Sequence, residues 1–219
     1  HGSWSSPSYA VIGGRPQVLF PAGDGWLYSL DPQWAGNGGP KLIWEFDCNH
    51  KQDRFIYGGR GDRDEFITAP VIYNGLVYVA TGQDSDSGEG QGTLWCIDPA
   101  KHLDGSDVSS QLLKGRTGHV LTRREAHAGF PQTMIRPNPK SAVVWKFESQ
   151  DLDGNGKIKF EEEFHRTIAH PTIANGLMFI ADFSGIVHCM DAASGKHHWS
   201  YDEFSATWIS SPLVVNGRV

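Results

Sequence analysis

GDGWLYSLDP…KLIWEFD (residues 23–47) is a phrase this chain writes three times. Its other copies are GTLWCIDPA…VVWKFE (92–148) and SGIVHCMDAASGKHHWSYD (184–202). Each holds a glycine turn, an alternating apolar strand ended by Asp, a loop, and a second strand centred on Trp. The loop varies in length, from Asp31 to Trp44, from Asp98 to Trp145 and from Asp191 to Trp199, while the flanking pattern survives. Self-similarity at this scale is the mark of a repeat architecture.

A second element precedes the phrase. PVIYNGLVYVA (70–80), PTIANGLMFIA (171–181) and PLVVNGRV (212–219) align residue by residue. Asn-Gly between two apolar runs is a strong hairpin signal, because both residues accept the positive φ of a type I′ turn. Residues 7–20 are a looser version, with Gly13-Gly14 at the turn. Each unit is therefore two hairpins in series, a four-stranded antiparallel sheet. The step from Pro171 to Pro212 is 212 − 171 = 41 residues, which suits a propeller blade of roughly 40–45 residues. The expected fold is an all-β propeller with blade units at about 7–47, 70–148, 171–202 and 212–219, three blades and part of a fourth. Trp44, Trp145 and Trp199, one per blade, are expected to fill the wedge between neighbouring sheets, where each aromatic can bury ~150–250 Å².

Gly-Asp-Gly-x-Leu-x-x-Leu-Asp (23–31) and Ala-Ala-Ser-Gly-Lys-x-x-Trp (192–199) resemble the repeat of the pyrroloquinoline-quinone-type (PQQ-type) β-propellers. That family includes quinoprotein alcohol dehydrogenases and outer-membrane assembly lipoproteins of the BamB type. The resemblance implies a ring of seven or eight blades, of which this chain, beginning at His1 and stopping inside a strand at Val219, would be part. It also implies an extracytoplasmic location, periplasmic or at the cell surface. It is specific for fold and weak for activity, since catalytic and non-catalytic members share the repeat.

Composition agrees with an all-β reading: 26 Gly, 12 Pro and 8 Trp accompany short strands, and no apolar run approaches the ~20 residues that span a bilayer. The net charge of −6, with no basic cluster larger than Arg123-Arg124, argues against a nucleic-acid surface. Cys96 and Cys189 occupy one repeat position in neighbouring blades, beyond the ~7 Å Cα separation a disulfide tolerates. With Cys48, they read as free, mostly buried thiols.

The sharpest chemical signal is DLDGNGKIKFEE (151–162), which matches the twelve-residue EF-hand calcium loop position by position. Asp151, Asp153 and Asn155 supply side-chain oxygens at positions one, three and five. Gly156 permits the bend at six, Lys157 offers a backbone carbonyl at seven, Ile158 is the expected buried anchor at eight, and Glu162 is the bidentate ligand at twelve. Lys159 at nine reaches an ion only through water. Calcium fits because it takes six to eight hard oxygen ligands and three carboxylates offset its charge. The segment 149–166 is thus an inserted EF-hand-like loop. A strand precedes it where an EF-hand has a helix, while 161–166 suits a short exiting helix. Its expected role is structural.

Other candidates read more blandly. The acidic stretch 84–92 fits no standard metal loop. The histidines lack zinc spacing, His197 and His198 leave a strand on opposite faces, and none is expected to be paired with a candidate Ser or Cys nucleophile. The insertion at 101–140 replaces a short turn; long loops of this kind either decorate a face for binding or are partly disordered, and poor order is expected in part of 105–132.

Two functions follow. The first is a non-catalytic exported scaffold or binding protein, with protein or small-molecule ligands, the remaining blades as partners and a structural calcium site. The second is part of a PQQ-dependent quinoprotein dehydrogenase oxidising alcohols or sugars. In such enzymes, the resemblance implies, the quinone lies between a Trp and an adjacent Cys-Cys disulfide beside calcium. This chain has no Cys-Cys pair; Trp4 and Trp208, beside Ser-Ser-Pro motifs, are the channel-lining candidates. The first reading is preferred.

Overall fold

The structure, a computed structural model, describes residues 4–34, 36–53, 63–66, 68–83, 90–115, 120, 134–204 and 210–219. The first sheet is formed by β1 (Ser8–Ile12), β2 (Arg15–Pro21), β3 (Trp26–Trp34) and β4 (Pro40–Asp47), each antiparallel to the next. The second begins with β5 (Val71–Tyr73), β6 (Leu76–Ala80) and β7 (Leu94–Ile97). Before it is completed, the insertion contributes β8 (Ser106–Asp107), β9 (Gln111–Lys114) and β10 (Met134–Pro137). Strand β11 (Val143–Phe147) then closes that sheet in the order β5-β6-β7-β11. The third sheet is β12 (Thr172–Ala174), β13 (Leu177–Ala181), β14 (Val187–Asp191) and β15 (His197–Tyr201), in that order. A last hairpin, bridged between Val215 and Arg218, starts a fourth unit.

The hairpin turns are those the sequence demands. Asn74, Asn175 and Asn216 sit at φ of 51°, 51° and 50°, each followed by a glycine at positive φ, the two left-handed residues of a type I′ turn.

The sheets stack face to face as successive blades of a β-propeller. One core joins blades one and two through Leu27, Trp44 and Phe46 against Val77, Val79 and Trp95; a second joins blades two and three through Tyr78, Cys96 and Phe147 against Met178, Ile180 and Met190. First strands also meet: the Ser8 hydroxyl donates to the Pro70 carbonyl at 2.7 Å, and Thr172 repeats the contact on Pro212. The start of each innermost strand therefore lies beside that of the next blade, as a shared axis requires.

The three repeated tryptophans do not do one job. Trp44 is fully buried, and its indole N–H donates to Gln17 Oε1 within its own blade. Trp145 is half-buried and reaches into blade three, donating to the Ala192 carbonyl at 3.0 Å with its ring laid on Gly195. Trp199 is 45% exposed, because among the described residues no β14–β15 type of turn follows blade three for its ring to cover. Between blades one and two the docking indole is instead Trp95, which donates to the Cys48 carbonyl at 2.8 Å and meets Phe46 edge-on.

The insertion is not mere decoration. β8 pairs in parallel with β4 as a fifth strand of blade one, and β9 and β10 form a separate hairpin. Asn138 locks the two pieces by donating to the carbonyls of Asp107 and Ser109, both at 2.9 Å. Residues 116–119 and 121–133, where most of the expected poor order falls, lie outside the described residues, as does Trp208. All three cysteines are free and buried.

Gly195, at φ 71°, leaves a Cβ only 2.6 Å from the Trp145 ring. Gly195→Ala is therefore expected to lower stability by about 1–3 kcal/mol in urea unfolding. In a Trp145→Ala background the cost should shrink, as coupling across one contact requires.

Candidate metal centre

The loop at 151–162 stands on a short two-stranded stem. Phe164 N donates to the Glu148 carbonyl at 2.6 Å and Gln150 N to the Glu162 carbonyl at 3.0 Å, with a bridge between Ser149 and Glu163. The stem grows directly from β11 and ends in Phe164, fully buried in the core between blades two and three. The loop's base is thereby fixed by hydrophobic burial, and its tip stands in solvent.

At the tip the backbone wraps the acids. Asp151 Oδ1 accepts from the N–H groups of Gly154 (2.8 Å) and Asn155 (3.1 Å), and its Oδ2 from Gly156 (2.7 Å). Gly154 and Gly156 have φ of 72° and 80°, which lets the chain turn around the carboxylate. Asp153 Oδ1 accepts from Asn155 N, while the Asn155 side chain donates to Asp153 Oδ2 and accepts from Lys157 N. Glu162, 5% exposed, closes the ring: its oxygens accept from Leu152, Asp153 and Lys159 N–H groups. One oxygen each from Asp151, Asp153 and Glu162 lie within 4.8 Å of one another.

That spacing fits calcium. Ligand distances of ~2.3–2.6 Å allow oxygens on opposite sides of one ion to stand ~5 Å apart. A cation is already drawn to the spot, since the Lys159 ammonium lies on Asp153. The Lys159 contact holds Asp153 below the usual carboxylate range, and the N–H of Lys159, followed by those of Leu152 and Asp153, does the same for Glu162. Both are charged at neutral pH. The structure thus brings together Asp151, Asp153 and Glu162, with Asn155 against Asp153. Lys157 and Lys159 bring no anionic side chain, and Lys159 competes for Asp153.

Two details differ from the sequence expectation. Ile158 is 45% exposed, because no second loop lies against it among the described residues. The exiting helix over 161–166 is a single 3₁₀ turn, Phe160–Glu162, after which Glu163 is extended (φ −97°, ψ 150°) and pairs with Ser149. The stem, by claiming residues 163 and 164 for pairing, prevents a helix from propagating. In the second acidic stretch, residues 84–89 lie outside the described residues.

The stem leads into a buried polar chain that sequence spacing does not reveal. His165 Nδ1 contacts Asp182 Oδ2 at 2.9 Å, and His188 Nε2 approaches the same oxygen at 3.5 Å. His188 and His197 both contact the Ser200 hydroxyl, at 3.1 and 2.9 Å. Ser200 therefore does have histidine neighbours, contrary to the sequence reading. It projects with His188, its cross-strand partner, from the face opposite Trp199 and Tyr201. Its hydroxyl is thus turned away from the apolar surface those rings form, and the chain reads as a structural relay. Other buried ionic contacts tie blade to loop: Asp47 holds Arg63 (2.7 Å) and Lys51 (2.8 Å), and Asp64 holds Arg166 (2.8 Å). The legible signal was an acid three residues after each tryptophan, Asp47 and Glu148, the latter gripping His50 and Lys146.

Residues 134–219 match a family model described as outer membrane protein assembly factor BamB. Those residues carry a PQQ-type propeller repeat. No curated protein matches the chain. Solved structures similar to it include quinohemoprotein alcohol dehydrogenase ADHIIG from Pseudomonas putida HK5, at 17% identity and TM-score 0.46 over 99% of this chain and 23% of that one. BamB from Moraxella catarrhalis aligns at 16% identity and TM-score 0.37, over 99% and 54% of the two chains. A europium-containing methanol dehydrogenase aligns at 15% and 0.41, over 92% and 35%. The chain thus spans between about a quarter and about half the length of these proteins. Among the described residues no helix is long and apolar enough to cross a membrane.

Burial pushes the Asp182 carboxyl up, but the contacts from His165 and His188 outweigh it and hold it at about 2, below an ordinary 3.8. A depressed acid contributes stability above its unfolded pKa and loses it as pH falls through the folded value. Wild-type stability should therefore drop by roughly 2 kcal/mol between pH 4 and pH 2 through this group. Asp182→Asn should remove that part of the acid limb in denaturant titrations.

Proposed function

We propose that this chain is part of a non-catalytic, extracytoplasmic propeller scaffold of the PQQ-like repeat type, whose inserted loop binds calcium as a structural staple. The observation that carries the calcium reading is the convergence of Asp151, Asp153 and Glu162 oxygens within 4.8 Å at the end of a stem rooted in the core. Asn155 adds a side-chain oxygen and Lys157 a backbone carbonyl, with water at the Lys159 position. A bound ion would supply charge neutralisation, releasing Lys159 from Asp153. The residues would do the rest: Glu162 spans the loop's two ends, and the stem passes the gain in order to Phe164 and the junction between blades two and three.

The scaffold reading is supported by where the charged groups are used. Asp47, Arg63, Asp64, Arg166 and Asp182 are all at least nine-tenths buried and engaged in contacts with other segments of the fold. Such groups hold blades together. The remaining blades and an external protein or small-molecule ligand are the proposed partners. Of the two channel candidates of the dehydrogenase reading, Trp4 is 70% exposed and Trp208 lies outside the described residues.

Calcium at about 100 times its Kd should add roughly 2.7 kcal/mol, a Tm rise of roughly 5–10 °C at ~2–4 °C per kcal/mol. Asp151→Ala combined with Glu162→Ala should abolish the rise while magnesium gives little in either protein. An unaltered wild-type Tm would remove the site. Dye-linked alcohol oxidation after reconstitution of the longest available form of the protein with the quinone would overturn the scaffold reading without touching the calcium one.

A further inference from the structure

Blade one receives the inserted strand β8 through two carboxylic acids set opposite each other. The parallel register pairs Glu45 of β4 with Asp107 of β8. Glu45 alternates with Trp44 and Phe46, which face the core, so it projects from the other side, beside its cross-strand neighbour Tyr28. Both acids are half-buried. Asp107 Oδ1 accepts from Ser109 N at 2.8 Å. Among the described residues no hydrogen bond reaches the Glu45 carboxyl.

The charged surroundings do not compensate the pair. Asp24 and Asp47 add negative charge near Glu45, and Lys51 is the nearby cation. Lys51 is already committed to Asp47 at 2.8 Å and lies over the Trp26 ring. Arg63 is likewise held by Asp47 at 2.7 Å, and the Tyr28 hydroxyl donates to Asp24 at 3.0 Å. Two carboxyls sharing such a place cannot both ionise without cost.

We infer that seating of the insertion on blade one is proton-coupled: a single proton taken up by Glu45, opposite Asp107, lets β8 dock, and its loss loosens the strand. What docking secures is specific. Gly105 N donates to the Ile43 carbonyl at 2.7 Å, Val108 N to the Glu45 carbonyl at 2.8 Å, and Asp47 N to the Ser109 hydroxyl at 2.7 Å. Val108 itself is fully buried in the core shared by blades one and two. Burial, and after it Asp107, push Glu45 up to about 7 from 4.5, and burial also raises Asp107. An acid raised on folding stabilises the folded form below its unfolded pKa, and that contribution is lost as pH rises through the folded value. The window here runs from about pH 4.5 to about 7.

Amide hydrogen exchange across pH 5 to 8, corrected for the intrinsic rate, tests this directly. Protection of Gly105 and Val108 is expected to fall at least tenfold across the range, while the β13–β14 ladder stays level. Glu45→Gln should hold the two amides level as well. Asp107→Asn should reduce the fall, and serves alone should the first variant not fold. Level protection in wild type, or an undiminished fall in the variants, overturns the inference.

Discussion

An indole laid across a glycine of the neighbouring sheet carries the junction between blades two and three. Trp145 donates to the Ala192 carbonyl, Tyr78 donates to the same oxygen, and Gly195 leaves room for the ring by having no side chain. Sheets that merely touched through aliphatic contacts could slide, because apolar burial has no direction. Two donors converging on one carbonyl fix the angle of one blade on the next. Between blades one and two, Trp95 and the Cys48 carbonyl play the same part. Burial of one such aromatic, at ~150–250 Å² and ~25 cal/mol per Å², amounts to about 4–6 kcal/mol as an upper estimate. That is a large share of the stability of any single domain.

The loop at 151–162 meets this junction from outside. Its stem leaves β11 two residues after Trp145 and returns through Phe164 into the core that the indole helps close. Order imposed at Asp151, Asp153 and Glu162 would reach Phe164 and His165 within a few residues of chain, and Asp182 through its contact with His165. The insertion at 101–140 follows a different logic. It is held on blade one by backbone pairing between β4 and β8, at a point where like charges meet.

Much of this was readable from the chain. The Asn-Gly turns at 74, 175 and 216 and the repeat spacing dictated the hairpins and the blades, because positive φ and alternation are local constraints. The spacing that groups the acids at 151, 153 and 162 is equally local. What escaped the sequence depended on neighbours far along the chain. Trp44, Trp145 and Trp199 share a motif yet differ in burial, since each depends on what the adjoining blade presents. Ile158 looked like a buried anchor but has no counterpart to meet among the described residues. Residues 106–107 carry no strand signal of their own, and pair only because β4 offers an open edge. The Asp182 cluster draws on positions 165, 182, 188, 197 and 200, a spacing that matches no motif.

Exchange of the indole N–H protons, followed by NMR, bears most directly on how the blades are joined. The Trp95 and Trp145 protons, bonded to carbonyls across the blade boundaries, should exchange together and far more slowly than a free indole. If both exchange at the free rate while the strand amides remain protected, the sheets are not joined through these rings and the account fails.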